Sequence, residues 1–523
     1  MRLGGAAAIV LVTAGCATVD DELLDAQLPE PPTAWAATEE PATAPTGDWV
    51  ASFKDNILRG LIAEALTHNN DLMAAAANLE QARANTKMTR AGLFPTLDTR
   101  FNAGRNAIVT DPTFAAQAGG GGGGETDISG LRARDLEDRF GVDSNNDGKL
   151  DGLDLDGDGI AERDLPNRRI YVNSYQLNAD IRWELDVWGR LRDQTKAAHL
   201  DANAALADLA GAQLSLAASV AQSWFALIEA RQQRELSERD VDARKSNLRV
   251  TERRYERGVA SSLDVRLSRS ALGSSEASLA LRERLEQEAS RRLEVLLGRY
   301  PAAELAAAES LPNLPALSGA GAPGDLLARR PDLIAAEARM ESAGLRSRIA
   351  RKEMLPQLTI TSRLNTSGPV ISDLIDPERL AGNVFTGIAQ PIFQGGRLRA
   401  NSKRARAAAQ SALFGYAQTV LAAYEEAENA LAAEQLLASR EDALRLAYEE
   451  AAAAEDLTER RYTSGAATIF NLLDAQTRRI SAESQYIQAQ RERVSNRVVL
   501  YLAIGGDFLT DAKLAVLSLD NQE

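Results

Sequence analysis

The sequence predicts a mainly α fold with a transmembrane β-barrel portion, internally duplicated, in which long coiled helices form columns and four strands per chain contribute to a barrel that one copy cannot close. Three observations carry this. Two stretches, 190–257 and 397–463, run for 68 and 67 residues without a proline. The chain matches itself at two fixed offsets. One segment between the helical runs alternates apolar and polar residues with period two.

Composition sets the bounds. The 523 residues carry 59 Lys and Arg against 74 Asp and Glu, a net charge of −15, which gives no basic footprint for nucleic acid. Mean hydropathy is −0.26, and outside residues 3–14 no apolar run approaches the ~18 residues of a spanning helix. Two histidines, His68 and His199, and one cysteine, Cys16, exclude disulfides within the chain and Cys/His zinc clusters, and point away from an enzyme.

Residues 1–16 read as an export signal: Arg2, the apolar Leu3 to Val12, then Thr13-Ala14-Gly15-Cys16. The segment resembles a bacterial lipoprotein signal, which would make Cys16 the lipidated first residue of the mature chain; Thr13 stands where Leu is usual. An ordinary export signal with an incidental cysteine is the alternative. Residues 17–48, with Pro29, Pro31, Pro32, Pro41 and Pro45, read as an extended tether.

The duplication orders the rest. At an offset of 261, Asn70-Asp71-Leu72 falls on Pro331-Asp332-Leu333 and Phe94-Pro95-Thr96-Leu97 on Leu355-Pro356-Gln357-Leu358. At 207, Gly189-Arg190-Leu191-Arg192 falls on Gly396-Arg397-Leu398-Arg399, and the Arg-Tyr-x-x-Gly run ending at Gly258 on the one ending at Gly465. The offsets differ by 54 residues, the size of an insertion in one loop of the first copy. The first repeat spans 49–298 and the second 325–507, joined by 299–324 and followed by a tail, 508–523. The long runs predict helices of about 100 Å, rich in Ala, Leu, Glu, Arg and Gln. Glycine turns at Gly258 and Gly465 lead to helices over 262–298 and 469–504. The stretches 55–94 and 325–355, ending at Pro95 and Pro356, predict helices of about 60 and 45 Å that stack end to end on those. Helices this long need lateral partners.

From Tyr171 to Glu184 the odd positions are mostly apolar or aromatic and the even ones polar, the pattern of a strand with lipid on one side and water on the other, although a half-buried soluble strand shows it too. Its partners, 96–106, 358–366 and 383–393, offer Leu97, Phe101, Leu358, Ile360, Leu364, Val384 and Ile388 as outward residues. Four strands cannot close a barrel, since the smallest need about eight, and an open edge in lipid is not tolerated. Three copies give twelve strands.

The loop insertion, about 107–168, carries separate chemistry. Asp143, Asn145, Asp147, Asp151 and Asp154 stand at positions 1, 3, 5, 9 and 12 of a calcium loop, with Gly148 at 6 and the Lys149 carbonyl at 7. A second, overlapping set is Asp154, Asp156, Asp158, Ile160 through its carbonyl, and Glu162; it lacks an acid at position 12, where Leu165 stands. Residues 135–164 hold 11 acids and 3 bases, charge that without calcium would leave the loop disordered.

The duplicated plan, the Arg-Tyr-x-x-Gly turns, and Leu311-Pro312-Asn313-Leu314-Pro315 followed by Gly324-Asp325-Leu326-Leu327-Ala328-Arg329-Arg330-Pro331-Asp332-Leu333 resemble the TolC-like outer-membrane efflux channels over about residues 45–507. The Arg-Arg-Pro-Asp stretch is similar to the lipoprotein, NodT-type branch for multidrug and metal efflux. The resemblance implies a homotrimer with a twelve-stranded barrel in outer-membrane lipid and a long periplasmic α-barrel. It also implies a periplasmic adaptor and an inner-membrane pump, of the proton-driven RND type, as partners. Gly258, Val259, Ala260 and Ser261, with Gly465, Ala466, Ala467 and Thr468, match the family's adaptor-docking tips. For the periplasmic gate, Asp474 matches a constriction carboxylate, and Tyr462 with Asp264 a latch between neighbouring coils. Asn471 stands where some members have a second acid, and Ala467 where some have a latch arginine.

The resulting expectation is a passive exit duct for drugs, toxic small molecules or metal ions, with no catalytic residues, calcium in the insertion and lipid on Cys16. Protein secretion through the same architecture, and a calcium-binding envelope or surface-layer attachment protein, are the alternatives.

Overall fold

The computed structural model describes residues 32–37, 48–110, 141–142, 152–153, 168–314 and 321–506. Cys16, most of the tether and the tail after 507 lie outside them. The helices are α1 (Trp49–Ser52), α2 (Asn56–His68), α3 (Asn70–Ala91), α4 (Arg190–Glu256), α5 (Ser262–Leu296), α6 (Leu326–Arg329), α7 (Pro331–Lys352), α8 (Arg397–Thr463) and α9 (Ile469–Ala503). The strands are β1 (Thr96–Thr110), β2 (Gly141–Val142), β3 (Gly152–Leu153), β4 (Arg168–Leu185), β5 (Gln357–Gly368) and β6 (Ala381–Ala389). They fall into a helical unit and a strand unit, the latter made of 92–187 and 356–390.

In the helical unit the repeats correspond residue for residue. The pairs α4 and α8, α5 and α9, and α3 and α7 have 67, 35 and 22 residues in each copy. The two stretches expected to be single helices of about 60 and 45 Å are each broken, between α2 and α3 at Asn69 and between α6 and α7 at Arg330. These positions are repeat equivalents, and the breaks have a cause. A helix end leaves carbonyls without partners, and here the breaking residue supplies them. Asn69 caps its own helix through Oδ1, accepting from the Leu72 amide at 3.0 Å, while Nδ2 donates to the Leu296 carbonyl at the end of α5, also 3.0 Å. In the second copy Arg330 Nη1 donates to the Ala503 carbonyl at the end of α9, 3.2 Å. Thus α3 abuts α5, and α7 abuts α9.

A glycine permits each approach. Gly298 (φ +75°) and Gly505 (φ +69°) follow the two helix ends, and a Cβ would lie 2.5 Å from the His68 carbonyl oxygen at the first and 2.9 Å from Arg329 Cβ at the second. Arg330 is buried, and its second edge reaches Asp332 (2.8 Å) and Glu426 of α8 (2.8 Å). Burial opposes charge on Asp332, but the Arg330 hydrogen bonds and charge prevail and hold its carboxyl below the ordinary range. The Arg-Arg-Pro-Asp motif is therefore a clasp of this junction, with Pro331 at the first turn of α7, where its missing N–H costs nothing. After α5, Glu294 is likewise buried, yet its carboxyl is held low because the Ala303, Glu304 and Leu305 amides donate to it.

Below the junction, α1 and α2 cover the face of α4 that carries Trp224, Phe225 and Ile228, all fully buried. Trp224 Nε1 donates to Asp55, and Phe53 packs on Phe225 and Tyr501. This corrects one expectation. An 18-residue window of α4 is apolar enough to cross a membrane, with mean hydropathy 1.4, but half of it is buried in this core.

In the strand unit the order is β1-β4-β5-β6, antiparallel throughout, and among the described residues the outer edges of β1 and β6 have no partner. The register puts Leu97 opposite Ile181, Phe101 opposite Leu177, Ala179 opposite Leu364, Trp183 opposite Ile360, Leu358 opposite Ile388 and Ser362 opposite Val384. All seven residues read as outward thus share a face with the odd positions of β4. The other face is polar, with Asp180 bonded to Arg363 at 2.6 Å. The last strand stops at Ala389, short of the expected 393, because Pro391 has no N–H for a ladder. Pairing of β4 with β5 ends at Tyr175, whereas its pairing with β1 runs on to Arg168, so the first hairpin continues for seven pairs beyond the second.

The junction generates a test. Asn69→Ala removes both a cap and the bond to Leu296, and is expected to cost about 1–2 kcal/mol. Asn69→Asp keeps the cap but sets a carboxylate against that carbonyl. Hydrogen exchange of amides near 70–75 should rise in Asn69→Ala and less in Asn69→Asp, whereas that near the start of the 299–305 connection should rise in both.

Candidate functional site

The two helix-turn-helix tips are built by the same local rule. At the first, Gly258 has φ +72°, its N–H donates to the Tyr255 carbonyl (2.9 Å), and the Val259 N–H returns to the Arg254 carbonyl (2.8 Å). At the second, Gly465 has φ +82°, with its N–H on Tyr462 (3.0 Å) and that of Ala466 on Arg461 (2.7 Å). This is the glycine-ended helix close, and only glycine enters the left-handed region cheaply. Apart from the adjoining chain, no described atom lies within 4 Å of where a Cβ would stand on either glycine.

Each tip then starts the next helix with a capping box. Ser261 Oγ accepts from the Asp264 amide and Asp264 Oδ2 accepts from the Ser261 amide (2.8 Å). Thr468 and Asn471 repeat this, the Asn471 side chain accepting from the Thr468 amide at 3.3 Å. Asn471 is the repeat equivalent of Asp264, and both serve here as caps. Val259 is 66% exposed and Ala260, Ala466 and Ala467 leave the turns thin, so the two tips present small, accessible surfaces.

Tyr462 joins the two coils by a route that differs from the expected one. Its ring is buried (5% exposed), its hydroxyl lies 3.1 Å from Thr251 Oγ1, and Arg254 both stacks over the ring at 4.9 Å and donates to the Tyr462 carbonyl at 2.9 Å. Asp264 takes no part, being held in its cap. Asp474 is exposed on α9 and paired within its own helix to Arg478 at 2.8 Å. Sequence reasoning passed over Thr251 and Arg254, although Arg254 belongs to the quoted Arg-Tyr-x-x-Gly run.

Above the tip the contact between α4 and α9, which links the two repeats, is a polar ladder. Asn247 Nδ2 donates to Gln476 (3.0 Å), Arg244 bonds Asp240 (2.9 Å) and Thr477 (3.3 Å), Arg239 bonds Glu483 (2.5 Å), and Gln233 and Ser484 exchange two bonds. Burial pushes the Asp240 carboxyl up, against the pull of Arg244. Two grooves flank the ladder. One, about 480 Å³, lies between α4 and α5 at Lys245 and Leu272, and the other, about 330 Å³, between α8 and α9 at Leu444 and Thr477.

Among the described residues no group of three or more His, Cys, Asp or Glu could hold a metal ion. The calcium-type residues Asp143, Asn145, Asp147, Lys149, Asp151, Asp154, Asp156, Asp158, Ile160 and Glu162 lie outside them. What is described is the pairing around the first loop, Gly141 with Leu153 and Val142 with Gly152.

The tip contacts predict a graded result. Tyr462→Phe removes only the hydroxyl bond to Thr251, about 1 kcal/mol, while Arg254→Ala removes the stacking and the carbonyl bond together, about 2 kcal/mol. Exchange of amides in 460–466 should rise in that order, and equal or absent effects would show that Tyr462 does not tie the coils.

The comparisons agree with this architecture. The family described as "Outer membrane efflux protein" matches residues 61–125, 151–299 and 322–506. The pyoverdine export outer membrane protein OpmQ of Pseudomonas putida is 27% identical over 488 residues, covering 92% of this chain and 93% of that protein. The outer membrane protein OprJ of Pseudomonas aeruginosa is 28% identical over 487 residues, 92% and 90% of the two chains. Among solved structures, the outer-membrane channel OprN superposes with a TM-score of 0.73 at 27% identity over 92% of this chain and 98% of that one. The Campylobacter jejuni CmeC outer membrane channel, at 18% identity and TM-score 0.76, shares the fold. With its duplicated helices, open-edged sheet and paired glycine tips, the chain belongs to the outer membrane efflux protein family.

Proposed function

We propose that this chain is the outer-membrane channel of a tripartite efflux system, a passive exit duct for drugs, toxic small molecules or metal ions. The observation that carries the reading is the sheet with two unpartnered edges on an apolar face. In lipid it is stable only when closed by further copies. Three copies give the twelve-stranded barrel, and α8 offers the lateral contact: Phe414, Leu421, Leu436, Leu446 and Leu457 are all exposed and fall on one side of the helix at the 3.6-residue period. In this reading the duct is a homotrimer, with Cys16 lipidated on the periplasmic side as its lipoprotein-type signal suggests.

The tips at Gly258–Ser261 and Gly465–Thr468, with the grooves above them, receive a periplasmic adaptor, which links the duct to a proton-driven inner-membrane pump of the RND type. Small side chains suit close helix approach there. Asp474, three times in the trimer, forms an acidic ring at the entrance that draws cations and repels anions once Arg478 turns away. The relatives are named as outer-membrane proteins of pyoverdine, toluene and antibiotic efflux, which favours efflux over protein secretion. A deletion strain should gain sensitivity to a panel of dyes, detergents, antibiotics and metals with its secreted proteins unchanged. Loss of secreted proteins with unchanged sensitivity would make this a secretion channel.

We further propose that the insertion takes up calcium, supported by the spacing of its oxygen ligands and by the ladder that draws Val142 and Gly152 together at the ends of the first loop. Calorimetry of calcium into the whole purified protein should show uptake that Asp143→Ala with Asp147→Ala abolishes; an unchanged isotherm would remove this site.

A further inference from the structure

The loop between β5 and β6, residues 369–380, is built inside out: a carboxylate is buried in it, and most of its large apolar side chains are exposed. Asp373 is the buried acid, its Oδ2 accepting from the Val370 amide at 3.3 Å and facing Arg379 at 3.6 Å. Thr366, near the end of β5, is buried under the loop, and its hydroxyl donates to the Leu374 carbonyl at 3.0 Å. By contrast Ile371 is 65% and Ile375 85% exposed, and Val370 and Leu380 are exposed as well. Water drives such side chains inside, so a cluster of them left outside marks a surface that meets something apolar.

The register tells which face of the sheet the loop lies on. Thr366 stands opposite Leu177 and Gly368 opposite Tyr175, so both belong to the face that carries Leu358, Ile360, Leu364 and the odd positions of β4. A short 3-10 helix, Ile371–Ile375, folds back over these two residues. Gly368 permits the approach, since a Cβ there would run into the Asp373 carboxylate. The loop therefore continues the apolar face of the sheet, and it covers a hydroxyl that this face would otherwise present to lipid.

The height agrees. β5 starts within a few residues of the end of α7, so Leu358 is at its periplasmic end and Gly368 at its outer end. At about 3.4 Å per residue and a tilt of about 40°, the strand climbs about 26 Å between them, close to the apolar band of about 25 Å of an outer-membrane barrel. Tyr175, level with Gly368, stands where an aromatic girdle belongs.

We propose that the 369–380 loop is an interfacial anchor, which sets Ile371 and Ile375, with Val370 and Leu380, into the acyl-chain edge of the outer leaflet. The partner is lipid because the loop prolongs the lipid-facing side of the wall, and because its buried carboxylate is already met by Arg379 and the Val370 amide. The anchor fixes the depth at which the wall sits, at the level where β4 leaves β5. It rests on the trimeric duct proposed above, whose barrel supplies that side.

A polarity-sensitive fluorophore on single cysteines tests this in the full-length protein carrying Cys16→Ser, reconstituted in vesicles of phosphatidylethanolamine and phosphatidylglycerol. Dyes on Ile371→Cys and Ile375→Cys are expected to be quenched several-fold more by lipids brominated near the glycerol end of their chains than by aqueous iodide. A dye on Val384→Cys, on the lipid side, should behave alike, and one on Asn383→Cys, on the polar face, should show the reverse. Thr366→Val with Gly368→Ala removes the hold on the loop and should reverse the ratio at 375 without changing that at 384. Iodide-dominated quenching at 371 and 375, or a ratio at 375 indifferent to that pair, would overturn the anchor while 384 keeps the barrel in place. Shielding of 371 and 375 from both quenchers would also overturn it, since a neighbouring copy would then cover the loop. If 384 answers to iodide as 383 does, the barrel reading itself fails.

Discussion

The helical unit depends on two junctions at which one helix ends against the start of another. A helix terminus in a packed interior is a liability, because its last carbonyls have no partners and no water to replace them. Here the partner comes from the abutting helix: Asn69 for Leu296, and Arg330 for Ala503. The two side chains differ in size and charge but occupy the same place in the two repeats. They join α3 to α5, and α7 to α9, into continuous columns beside the two 67-residue helices.

The tips follow from a similar economy of rules. One glycine closes the incoming helix, one hydroxyl opens the outgoing one, and the residues between are small because nothing else is needed. The asymmetry between the tips is carried by a single pair of equivalent positions, Tyr255, which is exposed, and Tyr462, which is buried against Thr251 and Arg254. The second coil is thus tied to the first at its tip, and a polar ladder continues the tie upward. Hydrogen bonds of this kind can be exchanged for water at modest cost, unlike a leucine seam.

Much of this was legible in the sequence. The offsets of 261 and 207 located both copies, and the period-two pattern found β4 and, through register, the apolar face of all four strands. What was not legible depends on contacts between distant residues. Asn69 in His68-Asn69-Asn70-Asp71 offers a local cap for a new helix, but its second bond, to Leu296, spans 227 residues and has no sign in the sequence. The apolar window of α4 does not stand out as a run, because polar residues such as Gln213, Ser215 and Ser219 interrupt it, and half of it is buried in the core that holds Phe53 and Ile62. At the tips, matching by family position placed Asp264 opposite Tyr462, whereas the local cap with Ser261 is shorter in sequence and claims the carboxylate first.

The unequal hairpins have a mechanical consequence. For seven residue pairs β1 and β4 pair only with each other among the described residues, a two-stranded ribbon of about 23 Å. A ribbon of this kind twists more freely than a sheet and transmits little bending to the strands at its base. The 57 residues between its ends, 111–167, are in effect mounted on a compliant stalk. Such a mount lets the first copy lengthen, shorten or exchange its cargo of loop residues without disturbing the register on which closure of the membrane-spanning wall depends.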